Sequence, residues 1–172
     1  KMVVSLASML RYSLNNGQNF IAVSDEIRQV QSYINLQQIR FGGCFEADIR
    51  VQEEMNDCII IKLLLQPLVE NSILHGFKEK MSRRRLSVDA WVESGRLVIV
   101  IEDDGKGMTG EKLEYVRQSL ELEESMGRSA GIGLNNVNER CQLFYGEDFR
   151  MDIQSERGKG TRIRLEARAV YE

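Results

Sequence analysis

Four short stretches hold the residues whose types and spacing could do chemistry. The first is Gln66-Pro67-Leu68-Val69-Glu70-Asn71-Ser72-Ile73-Leu74-His75-Gly76, which sets Glu70, Asn71 and His75 inside an otherwise apolar run. On a helix Asn71 and His75 share a face. Buried polar groups need partners, so these two either hydrogen-bond across a core or serve a ligand. In the second case Asn71 offers its amide oxygen to a hard cation such as Mg²⁺, with phosphates and water completing the shell. A lone histidine with no second ligand cluster is a poor basis for zinc.

The second stretch, Asp103-Asp104-Gly105-Lys106-Gly107-Met108, follows a predicted strand. Its glycines allow a sharp turn and close approach of a ligand. The Asp103 carboxylate can accept a hydrogen bond from an exocyclic amine. The third, Gly131-Ile132-Gly133-Leu134, opens a helix, where exposed N–H groups and the positive dipole end suit phosphate oxygens. The fourth, Gly158-Lys159-Gly160-Thr161, fits a hairpin turn. Taken singly, each of the last three has an ordinary reading as a turn or a helix start. Gly131-Ile132-Gly133 lacks the third glycine of a dinucleotide fingerprint, and no Gly-Lys-Ser/Thr phosphate loop occurs.

The elements that must position these groups are legible in outline. Val3, Leu6, Leu10 and Leu14 recur at helical spacing, widened by Met2 and Met9, up to a stop at Asn15-Asn16-Gly17. Such a stripe docks either on the chain's own core or on another chain. Ser24 is placed to cap a second helix, with Asp25 and Glu26 complementing its dipole and a break at Gly42-Gly43. Phe45, Ala47, Ile49 and Val51 alternate as a strand. The run from Ile59 to Gly76 reads as one helix that Pro67 kinks or restarts. Arg83-Arg84-Arg85 reads most simply as a solvated turn.

Leu86 to Glu93 and Leu97 to Asp103 form a hairpin around Ser94-Gly95. Thr109 to about Leu122 is a short helix. Glu123 to Ala130 has few apolar anchors and is expected to be mobile, ordering around a bound triphosphate. Leu134, Val137, Cys141 and Phe144 mark a helix stopped by Gly146. Two last strands, Met151 to Glu156 and Thr161 to Ala167, flank the fourth stretch. Short turns between strands and clustered helices predict an α+β fold, with helices layered on one face of a mixed sheet.

Composition bounds the function. The chain has 172 residues and 19.7 kDa, 42% hydrophobic and 28% charged residues, so disorder is excluded as the general state. A net charge of −3 gives no bulk basic field for nucleic acid. The longest apolar run, Ile59 to Leu65, is interrupted by Lys62 and spans no bilayer. Cys44, Cys58 and Cys141 are odd in number and widely spaced, as expected of reduced thiols.

Together the four stretches resemble the N, G1 and G2 boxes and closing Gly-x-Gly-Thr turn of the ATPase superfamily shared by gyrase, the heat-shock chaperone, histidine kinases and MutL. Leu65 to Asn71 with His75-Gly76, Leu10-Arg11-Tyr12-Ser13-Leu14, and Tyr33-Ile34 to Arg40-Phe41 are similar to the YesM/LytS-like sensor histidine kinases. The likeness covers about residues 4 to 168. It implies a Bergerat-type two-layer sandwich over residues 18–172, preceded at 1–17 by the end of a dimerisation and phosphotransfer helical region. It also implies ATP and Mg²⁺ as ligands. Asn71 would coordinate the metal, and Asp103 would receive the adenine amine through its carboxylate and a water. Gly105 and Gly107 would shape the base pocket and Met108 would cover the base. Gly131, Ile132, Gly133 and Leu134 would meet the phosphates, with Met108 to Ala130 as a lid. Gly160 and Thr161 would close the adenine side, and His75 and Gly76 would lie near the nucleotide.

Departures from the family pattern carry information. Hydrolysing relatives place a Glu four residues before the magnesium Asn, where this chain has Pro67. Glu70 is adjacent to Asn71 but points about 100° around the helix. Asp104 replaces the usual Asn and adds negative charge. Leu74 replaces a frequent Lys, whose phosphate contact is lost or passes to Lys78, Lys106 or Arg128. The single histidine, His75, belongs to the pocket, so the phospho-accepting histidine is expected upstream of these residues. The resemblance therefore implies the catalytic part of a membrane-anchored sensor kinase, itself cytoplasmic, homodimeric when whole, and relaying phosphate to a response regulator receiver domain. A stand-alone ATPase or conformational switch of the same superfamily would share every nucleotide residue.

Overall fold

The computed structural model describes residues 19–77, 83–121 and 132–171. The expected first helix, residues 122–130 at the end of the expected lid, Gly131, Lys78 and Arg128 lie outside them.

A short strand β1 (Phe20–Ala22) leads into helix α1 (Val23–Arg40), which buries Val23, Val30, Tyr33 and Ile34. Ser24 does not cap α1. The cap is Ala22 and the helix starts two residues earlier, because the Val23 N–H is met by the Cys58 carbonyl at 2.8 Å and the Ser24 N–H by that of Asn56 at 3.5 Å. Backbone thus satisfies the first donors that a cap would otherwise take. The helix ends where expected, with Phe41 and Gly43 N–H groups closing on Gln37 and Gln38 carbonyls and Gly42 and Gly43 at φ 63° and 75°.

The run from Ile59 to Gly76 is not one helix. Ile59–Ile61 is strand β3, antiparallel to β1, and its Ile59 N–H also reaches the Val170 carbonyl at 2.7 Å. Helix α2 (Gln66–Asn71) begins only then, with Pro67 in its first turn, where the missing N–H costs no bond. Residues 72–76 continue α2 as one π-helical turn. Between β3 and α2, Leu63 adopts φ 59°, a left-handed conformation uncommon for leucine.

The main sheet has five strands in the order β2 (Phe45–Val51), β4 (Arg84–Glu93), β5 (Arg96–Asp103), β7 (Gly160–Arg168), β6 (Arg150–Glu156). β2 and β4 are parallel and the other neighbours antiparallel, which makes the sheet mixed. Arg84 and Arg85 are not in a turn: they pair with Phe45 and Glu46 at the start of β4. One parity faces the helices: Leu86, Val88 and Ala90 on β4, Leu97, Ile99 and Ile101 on β5, Ile163 and Leu165 on β7. Helices α1, α2, α3 (Gly110–Glu121) and α4 (Ile132–Tyr145) cover that face and complete a two-layer α+β sandwich. Burial raises the Cys141 thiol to about 12, so it stays protonated at neutral pH; Cys44, Cys58 and Cys141 are all free thiols.

The β4–β5 turn places Ser94 at φ 52° and Gly95 at φ 75°, the paired positive values of the tight hairpin turn that favours Asn-Gly. Ser94→Asn is therefore expected to raise the urea midpoint at unchanged slope, by about 0.5 kcal/mol. A lowered midpoint would contradict this turn assignment.

Candidate functional site

Asp103 is the last residue of β5 and shares the inward parity of Leu97, Ile99 and Ile101. Alternation thus drives a carboxylate into the helical layer at the strand's end, where it is 5% exposed. Its oxygens are met on two sides. Oδ2 accepts the Ser72 hydroxyl at 2.8 Å and Oδ1 the Gly105 N–H at 2.9 Å. Burial pushes the carboxyl above its ordinary range, while bonds from Ser72, Gly105 and the Thr161 backbone oppose the rise. The neighbouring Asp104 charge adds to it. Each carboxylate oxygen accepts more than one hydrogen bond, so capacity remains for a further donor.

Backbone crowds this carboxylate. A Cβ on Gly105 would lie 2.7 Å from Asp103 Oδ1 and 2.7 Å from the Gly76 Cα, and one on Gly76 would lie 3.0 Å from the same oxygen. On Gly160, at φ 107°, a Cβ would stand 1.8 Å from the Asp103 carbonyl oxygen, and on Gly107 1.9 Å from that of Glu156. Lys106 N–H binds the Gly76 carbonyl at 3.0 Å, and Gly158 N–H binds the Lys106 carbonyl at 2.7 Å. The end of α2, the β5 exit and the β6–β7 turn therefore form one packed unit. Ser155 ties it further, through Met108 N–H at 2.9 Å, the Gly160 carbonyl at 2.8 Å and the Thr161 hydroxyl at 2.9 Å. Met108 is half-buried on the core.

Asn71 stands one residue before Ser72 and faces α4. A Cβ on Gly133 would come 3.4 Å from Asn71 Nδ2 and 3.8 Å from Oδ1. Nδ2 is buried without a hydrogen-bond partner, so its N–H groups remain to be met by an acceptor such as a ligand oxygen. Leu134, next to Gly133 in sequence, is buried, and Ile132 opens α4. No cluster of three His, Cys, Asp or Glu side chains suits a metal among the described residues. A cation here would take Asn71 plus non-protein oxygens, which fits Mg²⁺ held with phosphates.

Two predicted site residues stand apart. Glu70 accepts the Gln66 side-chain amide at 2.9 Å and lies close enough to Tyr33 of α1 to help raise its phenol, behind the larger effect of burial. His75 is exposed on the π turn and does not share the Asn71–Gly133 contact. Asp104 turns away from the pocket as well: its Oδ1 takes the Arg85 N–H at 2.8 Å, and its carbonyl takes Arg84 Nη1 at 2.7 Å. Ser72 and Ser155 escaped the sequence reading. Ser72's adjacency to Asn71 was the only available signal, and Ser155 had none.

Asn135 and Asn138, both buried on α4, lash it to α3 through the Ser119 hydroxyl at 3.2 Å and the Leu120 carbonyl at 3.0 Å. On the opposite sheet face a shallow groove lined by Arg50, Asp89, Trp91, Glu102 and Arg162 lies far from Asp103's side. Its charges pair across strands, Arg50 with Asp89 at 2.6 Å and Arg162 with Glu102 at 3.1 Å, as on a solvated sheet face.

The family model described as histidine kinase-, DNA gyrase B-, and HSP90-like ATPase matches residues 56–170, and the chain belongs to that family. A second model, histidine kinase, matches residues 1–45. Among individual proteins, the chain is 32% identical to the sensor protein kinase HptS of Staphylococcus aureus over 162 residues, covering 94% of this chain and 30% of HptS. It thus spans about a third of that relative's length. In fold it resembles full-length ShkA in complex with AMPPNP (TM-score 0.66, 16% identity, 99% of this chain and 36% of that one). It also resembles the nucleotide-free catalytic domain of histidine kinase ThkA (TM-score 0.64, 13% identity, 87% and 93%).

Two outcomes follow from this geometry. Gly160→Ala is expected to destabilise the fold by more than about 3 kcal/mol, because the methyl group meets fixed backbone. Gly158→Ala, with positive φ but open space, should cost only about 1–2 kcal/mol in the same urea titration. Similar losses would contradict the contact. Second, a raised carboxyl stabilises the fold below the unfolded Asp value and loses that contribution as pH rises through its folded value. Wild type should therefore lose stability relative to Asp103→Asn from about pH 4 upward, by thermal melting. A pH-independent difference up to about pH 7 would contradict it.

Proposed function

We propose that this chain is the ATP-binding catalytic region of a two-component sensor histidine kinase, handing the γ-phosphoryl group to a histidine outside these 172 residues. One observation carries the reading: consecutive α2 residues serve two ends of one site, Asn71 against Gly133 and Ser72 on Asp103. Family membership and the likeness to HptS support it.

In this reading the Asp103 carboxylate takes the adenine amine directly and through water, and Ser72 and Gly105 hold it in the accepting orientation. Gly76, Gly105 and Gly107 keep the base pocket open, Met108 covers the base, and Gly160 and Thr161 close its side. Asn71 contributes an oxygen to Mg²⁺, and the backbone at Gly131 to Leu134 faces the phosphates. The metal, when bound, neutralises charge developing on the transferred group. Phosphoryl transfer is mostly positioning and charge stabilisation. A P–O bond breaks, releasing ADP, and a P–N bond forms on the incoming imidazole. Pro67, in the first turn of α2, offers no base for water, and the Glu70 carboxylate accepts the Gln66 side-chain amide.

Residues 1–17 would be the end of the dimerisation and phosphotransfer helices. The whole protein would act as a homodimer, anchored to the membrane by other segments, with a response regulator as phosphate acceptor. Among the described residues no helix is long and apolar enough to cross a membrane.

Titration calorimetry with ATP and Mg²⁺ should show binding that Asp103→Asn weakens at least about tenfold, about 1.4 kcal/mol. Labelled ATP should leave no stable phosphohistidine on the chain. Absence of ATP heat, or label on His75, would overturn the assignment.

A further inference from the structure

We infer that Glu26, together with Arg140, is a positioning residue for the Asn71 side of the site, locking the loop of residues 62–65 that launches α2. The inference rests on the function proposed above.

Glu26 is fully buried on α1, yet it is a carboxylate. Its two oxygens accept different backbone amides: Oε2 that of Leu63 at 3.1 Å, and Oε1 that of Leu65 at 3.1 Å. From the other side Arg140 of α4 donates to the Leu63 carbonyl at 3.3 Å and to the Lys62 carbonyl. Both backbone groups of Leu63, the residue in the left-handed conformation, are thus gripped, one by α1 and one by α4. Buried ionic groups are weak evidence for stability, and fixing one conformation is an established use of them.

What this grip fixes is α2. That helix has six α-helical residues, no side-chain cap of its own and a proline in its first turn. Its amide anchorage therefore comes from Leu65 outward, through Glu26. Asn71 lies six residues beyond Leu65, about 9 Å along the axis, too near for an error in launch direction to dissipate. On α4, Gly133 and Arg140 lie two turns apart on one face. That face meets the α2 assembly twice, at Asn71 and at the Lys62 and Leu63 carbonyls. Asp103 keeps holds that do not pass through α2, the Gly105 N–H and the β7 ladder. Loosening the loop should therefore disturb the metal side and spare the base side.

The test titrates ATP into wild type, Glu26→Gln and Arg140→Gln, once with Mg²⁺ and once with EDTA. Wild type should bind more tightly with Mg²⁺. Both variants should match its EDTA affinity within about twofold and lose at least about fivefold of the Mg²⁺-dependent gain. An intact Mg²⁺ gain in both variants overturns the inference, as does an equal loss under both conditions, which marks a merely structural role. Arg140 is exposed, so Arg140→Gln carries the test if Glu26→Gln fails to melt cooperatively. Amide exchange at Leu65 and along α2, measured without nucleotide, should quicken in the variants, and unchanged exchange also overturns the grip. Wild type that binds no ATP under either condition sinks the proposed function instead, with the exchange result still deciding the grip.

Discussion

The buried carboxylate of Asp103 is the constraint on which the rest of the site depends. Removing a charge from water is costly unless hydrogen bonds replace the lost hydration. Here the Ser72 hydroxyl and the Gly105 and Thr161 backbone supply them, and burial still raises the carboxyl above its ordinary range. Those donors reach it only because Gly76, Gly105 and Gly160 bring bare backbone where side chains would collide. The glycine-rich stretches are therefore the packing solution that lets a strand end inside the core on an acid.

Strand alternation does much of the placement. Asp103 and Thr161 are paired across β5 and β7, and both continue the inward parity of their strands. A slip of one residue would put Asp103 on the open sheet face, among the paired charges of Arg162 and Glu102. Register, fixed by the hairpin at Ser94-Gly95 and the turn before Gly160, is thus a functional quantity in this molecule.

Local pattern made the sheet readable: alternation in β2, β4, β6 and β7, a short apolar run in β5, and turn residues between them. The glycine stretches around Asp103 were readable for the same reason, since their meaning is in their spacing. The failures were all long-range. Ile59 to Leu65 looks helical because an apolar run has no period. Its first three residues become β3 only because β1 and the carbonyl of Val170 supply edges from distant sequence. Glu26 reads as a dipole partner at a helix start, and the backbone amides that donate to it are 37 and 39 residues away. Arg84 and Arg85 read as solvated until β2 pairs with them. Glu70 and His75 share the run with Asn71; the Glu70 carboxylate accepts the Gln66 amide, and His75 is exposed on the π turn.

The adjacency of Asn71 and Ser72 joins the two halves of the site. Neighbours on a helix point about 100° apart, so one short segment can face α4 with one side chain and β5 with the next. Asn71 meets Gly133 and Ser72 meets Asp103, both from one helical turn, while Asp103 also keeps its Gly105 and β7 partners. On the proposed reading these are the metal and base ends of one nucleotide. The distance between them is then set by helix geometry instead of by loops. That is why α2, short and without a cap of its own, needs α1 and α4 to hold its launching loop from both sides.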